Sequence, residues 1–307
     1  MNGNSARKVL VTGAGGFIGR HCLPKLAADG FTVFATDIRS AGGPSPKWSW
    51  QAADLMDFRQ TRDLLASTRP THLLHLAWCT RPNDYRDTPD NLRWVSASLN
   101  LIHEFRAGGG ERAVLAGTCA EYDWSNGFCV EGFTPLSSAS LYGISKDALR
   151  RVLEAFSRVS GLSSAWGRVF FLYGPGEDPD RLIPSVILNL LRDKAAPCSH
   201  GGQVRDFLYV EDVASAFVSL LGSPVEGPVN ISSGCGVALR ELVLAAAAAL
   251  GRCENVRFGA LQAPPGEPSR IIGENRRLVE EVGWRPAFDL TTGIARTVRY
   301  WKEKVHP

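Results

Sequence analysis

The amino-acid sequence predicts an α/β fold, in which a doubly wound parallel sheet is joined by a smaller, interleaved C-terminal lobe. Short β-branched apolar segments alternate with amphipathic helical segments as far as Gly174. Strands that alternate with helices form a parallel sheet with helices on both faces, and such sheets bind ligands beyond the carboxyl ends of their strands. After Gly174 the chain is rich in loops and prolines, which indicates the second lobe.

Each element of this fold is predicted from a local pattern. Apolar segments predict strands at 8–13, 31–37, 71–78, 111–118 and 163–174. Helical patterns lie at 17–29, 59–68 and 91–107, and a further helix carries Tyr142. The strand-like segment PVNISS, at 228–233, is expected to return to the main sheet. The chain then divides into a sheet domain, 1–173 with 207–233, and a lobe, 174–206 with 234–307.

The composition is that of an ordinary globular protein and argues against several classes of function. The 307 residues are 44% hydrophobic and 21% charged, and a net charge of +3 gives no reason to expect nucleic acid or a membrane as partner. No segment approaches the ~18 uninterrupted apolar residues of a membrane span, and the polar start is unlike a signal peptide. The seven cysteines lack a C-x-x-C pair and the six histidines lack ligand spacing, so we expect no disulfide, no metal site and a cytoplasmic location.

A glycine-rich turn follows the first predicted strand. In TGAGGFIGR, Gly13, Gly16 and Gly19 are spaced G-x-x-G-x-x-G, directly before a helix. The first glycine permits a tight turn, the second lets a pyrophosphate approach the backbone, and the third allows close packing of helix on sheet. The pyrophosphate would lie at the helix N-terminus, near Phe17 and Ile18. This context predicts a dinucleotide site in a Rossmann-type sheet.

Acidic residues after the next strands indicate which dinucleotide binds. Asp37 ends the second strand, close to the ~20-residue distance expected for an acid that binds the adenosine ribose. A carboxylate there accepts from a 2′-hydroxyl and repels a 2′-phosphate, which favours NAD, whereas Arg39 leaves NADP open. Asp54 and Leu55 are candidates to meet the adenine, with a helix N-cap as the alternative for Asp54.

Several motifs occur in the order typical of one enzyme family. They are TGAGGFIG, Asp37, HLA at 75–77, GT at 117–118, YGISK, RVFFLYGPG and RDFLYVEDVA. Over nearly its whole length the chain resembles extended short-chain dehydrogenases/reductases, specifically the NAD-dependent epimerase/dehydratase family that acts on nucleotide sugars. The resemblance implies that Leu76 and Ala77 border the cofactor. It also implies a homodimer formed through the helix that carries Tyr142.

By this resemblance the catalytic residues are Thr118, Tyr142 and Lys146. Tyr142 and Lys146 are four residues apart, so they lie on one face of a helix. A tyrosine has an ordinary pKa of ~10, too high for an efficient base at neutral pH. We expect the Lys146 ammonium to lower the pKa of Tyr142 and to bind the nicotinamide ribose. Thr118, at a strand end, would orient the substrate oxygen.

The residues after Thr118 reduce the number of reaction types that the family resemblance leaves open. Dehydratases of the family carry an Asp-Glu pair there, whereas Cys119 and Ala120 stand here, so sugar dehydration is not expected. Cys119 is also one position away from the catalytic cysteine of the epimerase-reductases. We interpret Cys119 as a small buried residue at the substrate pocket. Reduction of a 4-keto sugar, or inversion at C4 through a transient ketone, remains.

Two arginines and several apolar residues are predicted to form the substrate site. Arg205, in RDF, is the best candidate for the diphosphate, and Arg270 is a second, with surface ion pairs as the alternative for both. Phe171 stands where many family members have a phosphate-binding asparagine, and Trp94 replaces another asparagine. A more apolar pocket would suit a 6-deoxy sugar, and Trp78 and Tyr122 are further candidates to line it.

The sequence favours a reductase that acts on a nucleotide-linked 4-keto-6-deoxyhexose. Glu121 and Tyr122, after the threonine, resemble residues of some sugar 4-reductases. The alternative is a 4-epimerase with retained NAD, which Asp37 favours. A dinucleotide-binding sensor without turnover is a further hypothesis, and a small carbonyl compound or steroid is another possible substrate.

Overall fold

The computed structural model of the protein describes residues 7–39, 45–82 and 84–305. These residues form fifteen strands: β1 (Lys8–Thr12), β2 (Thr32–Thr36), β3 (Trp48–Trp50), β4 (His72–His75), β5 (Arg112–Thr118), β6 (Phe128–Cys129), β7 (Ser163–Val169), β8 (Phe171–Tyr173), β9 (Ala196–Cys198), β10 (Val204–Arg205), β11 (Phe207–Tyr209), β12 (Gly227–Ile231), β13 (Val237–Ala238), β14 (Val256–Phe258) and β15 (Arg270–Gly273).

Eight α-helices connect the strands: α1 (Gly19–Ala28), α2 (Phe58–Thr68), α3 (Asp90–Ala107), α4 (Leu141–Ser160), α5 (Leu182–Leu191), α6 (Val210–Gly222), α7 (Leu239–Ala248) and α8 (Leu290–Val305). Short 3₁₀ turns lie at Cys119–Glu121 and Cys253–Asn255, and a π-helical turn lies at Arg277–Glu281. Within the ranges described, no helix combines the length and the apolar character that a bilayer crossing requires.

The main sheet has seven parallel strands in the order β12-β7-β5-β4-β1-β2-β3. The strand order reverses at β1, so the turn after β1 opens at the switch point where such sheets bind ligands. The predicted α/β fold with a doubly wound parallel sheet is therefore confirmed. The predicted return of 228–233 to this sheet is also confirmed, because β12 pairs with β7 from Gly227↔Ala165 to Ile231↔Val169.

Both faces of the sheet are buried, as the alternation along β1 shows. Val9 and Val11 belong to a buried cluster that includes residues of α1 and α6. Leu10, between them, belongs to a second cluster with residues of α2, α3 and α4. Successive side chains of a strand point to opposite faces, so a strand buried on both faces is apolar throughout.

The segment 163–174 forms two strands, and the prediction of one strand is wrong. The Phe170 amide still donates to the Ile231 carbonyl at 3.2 Å, whereas the Phe171 amide donates to the Asp206 carbonyl at 3.0 Å. The chain changes partner between these residues, and β8 then pairs with β11 outside the main sheet. The change of partner cannot be recognised in the sequence, because both strands are largely buried and therefore form one continuous apolar segment.

The second lobe contains the sheet β13-β10-β15-β6, the pair β14-β9, and the helices α5, α7 and α8. Strand β6 pairs with β15 through Ile272↔Phe128, although the sequence assigned this segment to the sheet domain. The two parts of the chain are thus interleaved more closely than the predicted boundaries imply. The domain boundaries themselves stay a prediction.

Candidate active site

The glycine turn after β1 packs directly on the segment that follows β4. Gly13 has a φ of +66°, and a Cβ on it would lie 2.8 Å from the Ala77 amide nitrogen. The Gly16 amide donates to the Gly13 carbonyl at 3.0 Å. A Cβ on Gly19 would lie 2.2 Å from the same carbonyl oxygen. Both end positions therefore require glycine, and the turn lies against Leu76 and Ala77.

The N-terminus of α1 is open to an anion. Ile18 precedes the helix, and no side chain caps the first turn. Phe17 and Ile18 are partly exposed. The Arg20 side chain fastens the turn instead, with Nε donating to the Gly16 carbonyl at 3.1 Å and Nη2 donating to the Gly15 carbonyl at 2.8 Å. A helix N-terminus without a side-chain cap is suited to a pyrophosphate.

The carboxylate of Asp37 is held beside this turn. Oδ2 accepts from the Gly15 amide at 3.1 Å and Oδ1 accepts from the Ile38 amide at 2.8 Å. Arg39 is exposed. The fixed carboxylate is the feature expected of a site for the adenosine ribose of NAD.

Asp54 is not the N-cap of α2. That position belongs to Asp57, which accepts from the Arg59 and Gln60 amides. Asp54 accepts from the Met56 amide at 2.9 Å, and Leu55 beside it is buried. The alternative for Asp54 is thus wrong, and its predicted contact with the adenine stays a prediction.

Tyr142 lies at the start of α4, which packs tightly on the turn after β5. Ser140 caps the helix by accepting from the Gly143 amide at 3.2 Å. A Cβ on Gly143 would lie 2.3 Å from the Ala120 carbonyl oxygen. This close approach places the Tyr142 hydroxyl near the Thr118 side chain, which acts to lower the pKa of Tyr142. Sequence reasoning missed Gly143, although a glycine next to the tyrosine was a visible signal.

The surroundings of Tyr142 act on its pKa in opposite directions. Burial, which leaves the residue 8% exposed, raises the pKa above its ordinary value of 10. The Tyr85 ring, edge-on at 5.0 Å, raises the pKa further, and the Thr118 side chain lowers it. The predicted effect of the Lys146 ammonium on the pKa of Tyr142 stays a prediction.

The amine of Lys146 is buried, and its direct contacts are with protein groups. The residue is 4% exposed, and Nζ donates to the Ala116 carbonyl at 3.0 Å. Nζ also lies 3.8 Å from the centre of the Trp78 ring and 6.0 Å from that of Tyr142. Burial lowers the pKa of Lys146 to about 7, and the Glu121 carboxylate opposes this shift. The amine is thus close to a change of charge at neutral pH.

Comparison of the chain with known protein families agrees with these features of the site. Residues 9–232 match the family described as NAD dependent epimerase/dehydratase. The chain belongs to this family. The predicted family and its cofactor, NAD, are therefore confirmed, and the protein is an enzyme of this family.

Individual relatives match the epimerase/dehydratase chain over almost its full length. A UDP-glucose 4-epimerase of Mycolicibacterium smegmatis is 31% identical over 97% of this chain and 99% of its own. The structure of the Thermus thermophilus UDP-glucose 4-epimerase with NAD has a TM-score of 0.80 at 28% identity, and covers 96% of this chain and 99% of that one. MoeE5 in complex with UDP-glucose and NAD has a TM-score of 0.81 at 29% identity, and covers 97% and 99%.

A buried network under the epimerase/dehydratase site was not predicted. Glu121 is fully buried and accepts from the Thr118 amide at 2.9 Å, from Trp166 Nε1 at 2.9 Å and from Arg168 Nε at 2.6 Å. It therefore fixes Thr118 from below. The sequence did carry a signal for this network. Glu121 follows one apolar strand closely, and Arg168 lies near the end of another, where it is in register with Gly117.

Tyr122 belongs to the same network. It is 2% exposed, donates to Asn230 Oδ1 at 2.8 Å and accepts from Arg168 Nη1 at 3.1 Å. Tyr122 therefore does not line the cleft, in contrast to the expectation from sequence. Trp78 does border the predicted catalytic pair, because its ring lies 6.3 Å from that of Tyr142.

Cys119 is 6% exposed, and burial raises the pKa of its thiol. A neutral, buried thiol is a poor nucleophile, in agreement with its interpretation as a small buried residue. Its predicted place at the substrate pocket stays a prediction.

Arg205 and Arg270 point to opposite faces of the second sheet. In the pairing of β10 with β15, Val204 is in register with Arg270, and Arg205 is in register with Ile271. Arg205 is 3% exposed, and its guanidinium lies 5.5 Å from the centre of the Phe171 ring. Arg270 is exposed. The structure thus brings Phe171 to Arg205 and leaves Arg270 apart.

A cavity of about 310 Å³ lies beside Arg205. Glu267 lines it, and its Oε1 accepts from Arg205 Nη2 at 2.8 Å while its Oε2 accepts from Gln203 Nε2 at 2.9 Å. The Gln203 Oε1 atom is buried and, among the residues described, has no hydrogen-bond partner.

Proposed function

We propose that the protein is a nucleotide-sugar 4-epimerase that works with NAD at C4 of a hexose. The observation that carries the proposal is the packing of the α4 start on the turn after β5, which places the Tyr142 hydroxyl near Thr118 at the carboxyl end of that strand. A hydroxyl pair of this kind can bind one sugar oxygen and move its proton.

The residues around the glycine turn fit NAD. The uncapped N-terminus of α1, at Phe17 and Ile18, would hold the pyrophosphate, and the fixed Asp37 carboxylate would hold the adenosine ribose. Tyr142 and Lys146 would hold the nicotinamide ribose. When bound, NAD would supply a reversible hydride acceptor for C4 of the sugar.

The protein's own residues move the proton in this reaction. Thr118 would bind the C4 oxygen, and the phenolate form of Tyr142 would take the hydroxyl proton as the carbon loses hydride, which leaves a 4-keto sugar and a neutral tyrosine. The sugar then presents its other face, and Tyr142 gives the proton back as hydride returns. Oxidation and reduction cancel, so no external oxidant or reductant is used.

The reductase preference from sequence is not supported. It rested on the more apolar pocket and on Glu121 and Tyr122, but these two residues are buried and both are bonded to Arg168 rather than directed at the cleft. Relatives from Mycolicibacterium smegmatis and Thermus thermophilus are UDP-glucose 4-epimerases. Both observations favour the epimerase alternative.

Arg205 is proposed to bind the diphosphate of the substrate. Its bonds to Glu267 and to the Val204 carbonyl use two of the five N–H donors of a guanidinium. Phe171, next to it, adds an apolar wall, which would suit a substrate with few hydroxyl groups on that side. UDP-linked hexoses are the first substrates to test, because relatives with UDP-sugar names match over the full chain.

The test is turnover of UDP-glucose by purified protein without added cofactor. We expect interconversion with UDP-galactose, measured by chromatography, and no net change in nicotinamide absorbance. Tyr142→Phe should lower the rate by roughly 10²-fold or more, as loss of a general acid–base group does. The matched control is Tyr300→Phe on α8, which should leave the rate unchanged.

Three other outcomes would contradict the proposal. Oxidation of NADH by a nucleotide-linked 4-keto-6-deoxyhexose, without epimerisation, would restore the reductase. Tight NAD binding without turnover of any sugar would indicate a sensor. Full activity of Tyr142→Phe would remove the tyrosine from the reaction.

A further inference from the structure

Trp78 makes the closest aromatic contact with the amine of Lys146. The Lys146 Nζ atom lies 3.8 Å from the centre of the Trp78 ring, compared with 5.9 Å for Trp166 and 6.0 Å for Tyr142. An ammonium over the face of an indole is attracted by the negative charge of that face, most strongly where water is excluded. Lys146 is 4% exposed, so this contact is of the stronger kind.

The indole of Trp78 is held from two further sides. Its Nε1 donates to Asn91 Oδ1 at 2.9 Å, and the fully buried Asn91 in turn donates to the carbonyls of Tyr85 and Thr88. Trp94 stacks on the ring with centres 5.9 Å apart and an angle of 25° between the planes. The ring is therefore a rigid platform rather than a mobile surface side chain.

The other groups that face Lys146 do not supply a free negative charge. Glu121, from the turn after β5, is shared among the Thr118 amide, Trp166 and Arg168. His75, at the end of β4, is neutral, since burial lowers its pKa to about 3. Tyr142, on the same helix, is also neutral in the protein without bound ligands, because burial raises its pKa. The Ala116 carbonyl and the indole face are thus the direct partners of the amine.

We propose that Trp78 is a positioning residue whose indole face holds the charged amine of Lys146 beside Tyr142. The catalytic meaning of this contact rests on the proposed function, whereas the contact itself does not depend on turnover. Because the ring attracts the ammonium and not the neutral amine, it keeps Lys146 protonated at a higher pH than the same buried site without the ring. The Glu121 carboxylate also raises the pKa of Lys146, but its oxygens accept three hydrogen bonds from other groups, whereas the Trp78 ring lies directly over the amine.

The test measures the pKa of Lys146 directly. The chain has seven lysines, so the ¹⁵N signal of each amine can be followed in labelled full-length protein, and Lys146→Met identifies the signal of interest. In Trp78→Leu we expect the pKa of Lys146 to fall by about one unit, a tenfold loss of proton affinity. Trp78→Phe keeps a weaker aromatic face and should give a smaller fall.

The matched control is Trp284→Leu. Trp284 is a buried indole that, like Trp78, makes one hydrogen bond, from Nε1 to Ser215 Oγ at 2.8 Å, but it packs in the cluster on the other face of the sheet. Its loss should lower the melting temperature and leave the pKa of Lys146 unchanged. A purely structural role of Trp78 would give the same result as this control.

The pH profile of turnover provides the second readout. The alkaline limb of kcat for UDP-glucose should move to lower pH in Trp78→Leu, by the same amount as the pKa of Lys146. An unchanged or raised pKa in the Trp78 variants would overturn the proposal, and Trp78→Phe alone decides if the leucine variant does not fold. A lowered pKa in a protein that turns over no nucleotide sugar would refute the proposed function and leave this contact standing.

Discussion

Lys146 is buried in surroundings that disfavour the charged form of its amine. Burial removes water from the ammonium, and this lowers the pKa of the amine from 10.5 to about 7. A hydrophobic side chain would be more stable in the same position. A buried lysine that lowers the stability of the fold, next to a tyrosine in a cleft, is characteristic of a functional site.

This conflict predicts that Lys146→Met is inactive and more stable. Between pH 7 and 10.5 the unfolded chain binds more protons at this lysine than the folded one, so the wild-type protein gains stability as pH rises through that range. Methionine has no such dependence. We expect the variant to raise the free energy of unfolding by about 1–2 kcal/mol at pH 7 and to lose this advantage by pH 10, measured by chemical denaturation.

The control for this prediction is Lys194→Met, at an exposed lysine. It should change neither stability nor its pH dependence by more than about 0.5 kcal/mol. If Lys146→Met were less stable than the wild-type protein at pH 7, or if its gain in stability grew with pH, burial would not be what lowers the pKa of this lysine.

At the scale of elements, the glycine turn joins β1, α1 and the end of β4 into one unit. Gly13 approaches the Leu76–Ala77 backbone, and Gly19 approaches the Gly13 carbonyl. The pattern G-x-x-G-x-x-G was sufficient to predict this arrangement, because each glycine meets a backbone neighbour that is close in sequence or on the adjacent strand.

Gly19→Ala is expected to disrupt the turn. The added Cβ would lie 2.2 Å from the Gly13 carbonyl oxygen and 2.8 Å from Ala14 Cα, and backbone atoms cannot move aside as side chains do. We expect a loss of about 1–3 kcal/mol in stability and weaker NAD binding, measured by thermal unfolding and calorimetric titration.

Gly222→Ala is the matched control, since it places the same methyl group at the end of α6 with no atom within 4 Å. It should be neutral or slightly stabilising. If both substitutions changed stability equally, the close approach at Gly19 would not contribute to the free energy of unfolding.

At the scale of the whole molecule, Asp206 ties the lobe to the main sheet. The fully buried carboxylate accepts from the amides of Ser233 and Gly234, which follow β12, and from the Gly273 amide at the end of β15. It also accepts from the Ser233 hydroxyl at 2.7 Å. One side chain therefore joins two parts of the chain that the sequence separates by many residues.

Asp206→Ala is expected to lower the free energy of unfolding by about 3–5 kcal/mol, because it leaves several buried amides without an acceptor. Asp206→Asn keeps one acceptor oxygen and should lose less. Differential scanning calorimetry would measure both, with the exposed Asp63→Ala as the control. A loss at Asp206→Ala no greater than at Asp63→Ala would show that these hydrogen bonds do not hold the lobe.

Helix α4 also carries exposed apolar residues. Ile144, Val152 and Val159 are 54%, 47% and 84% exposed. A face of this kind is compatible with the expected homodimer, although the homodimer and the cytoplasmic location both stay predictions.

The sequence by itself determined the alternation of strands and helices, the glycine turn, Asp37, and the set of Thr118, Tyr142 and Lys146 as candidates. These features are local, since strand periodicity, turn chemistry and helix spacing act over a few residues. Only the tertiary structure decided that Glu121 and Tyr122 are bonded to Arg168, that Arg270 lies apart from Arg205, and that Trp78 covers Lys146. Those facts depend on which distant residues share a buried volume, and burial, more than residue type, sets whether a charged group supports the fold or serves the site.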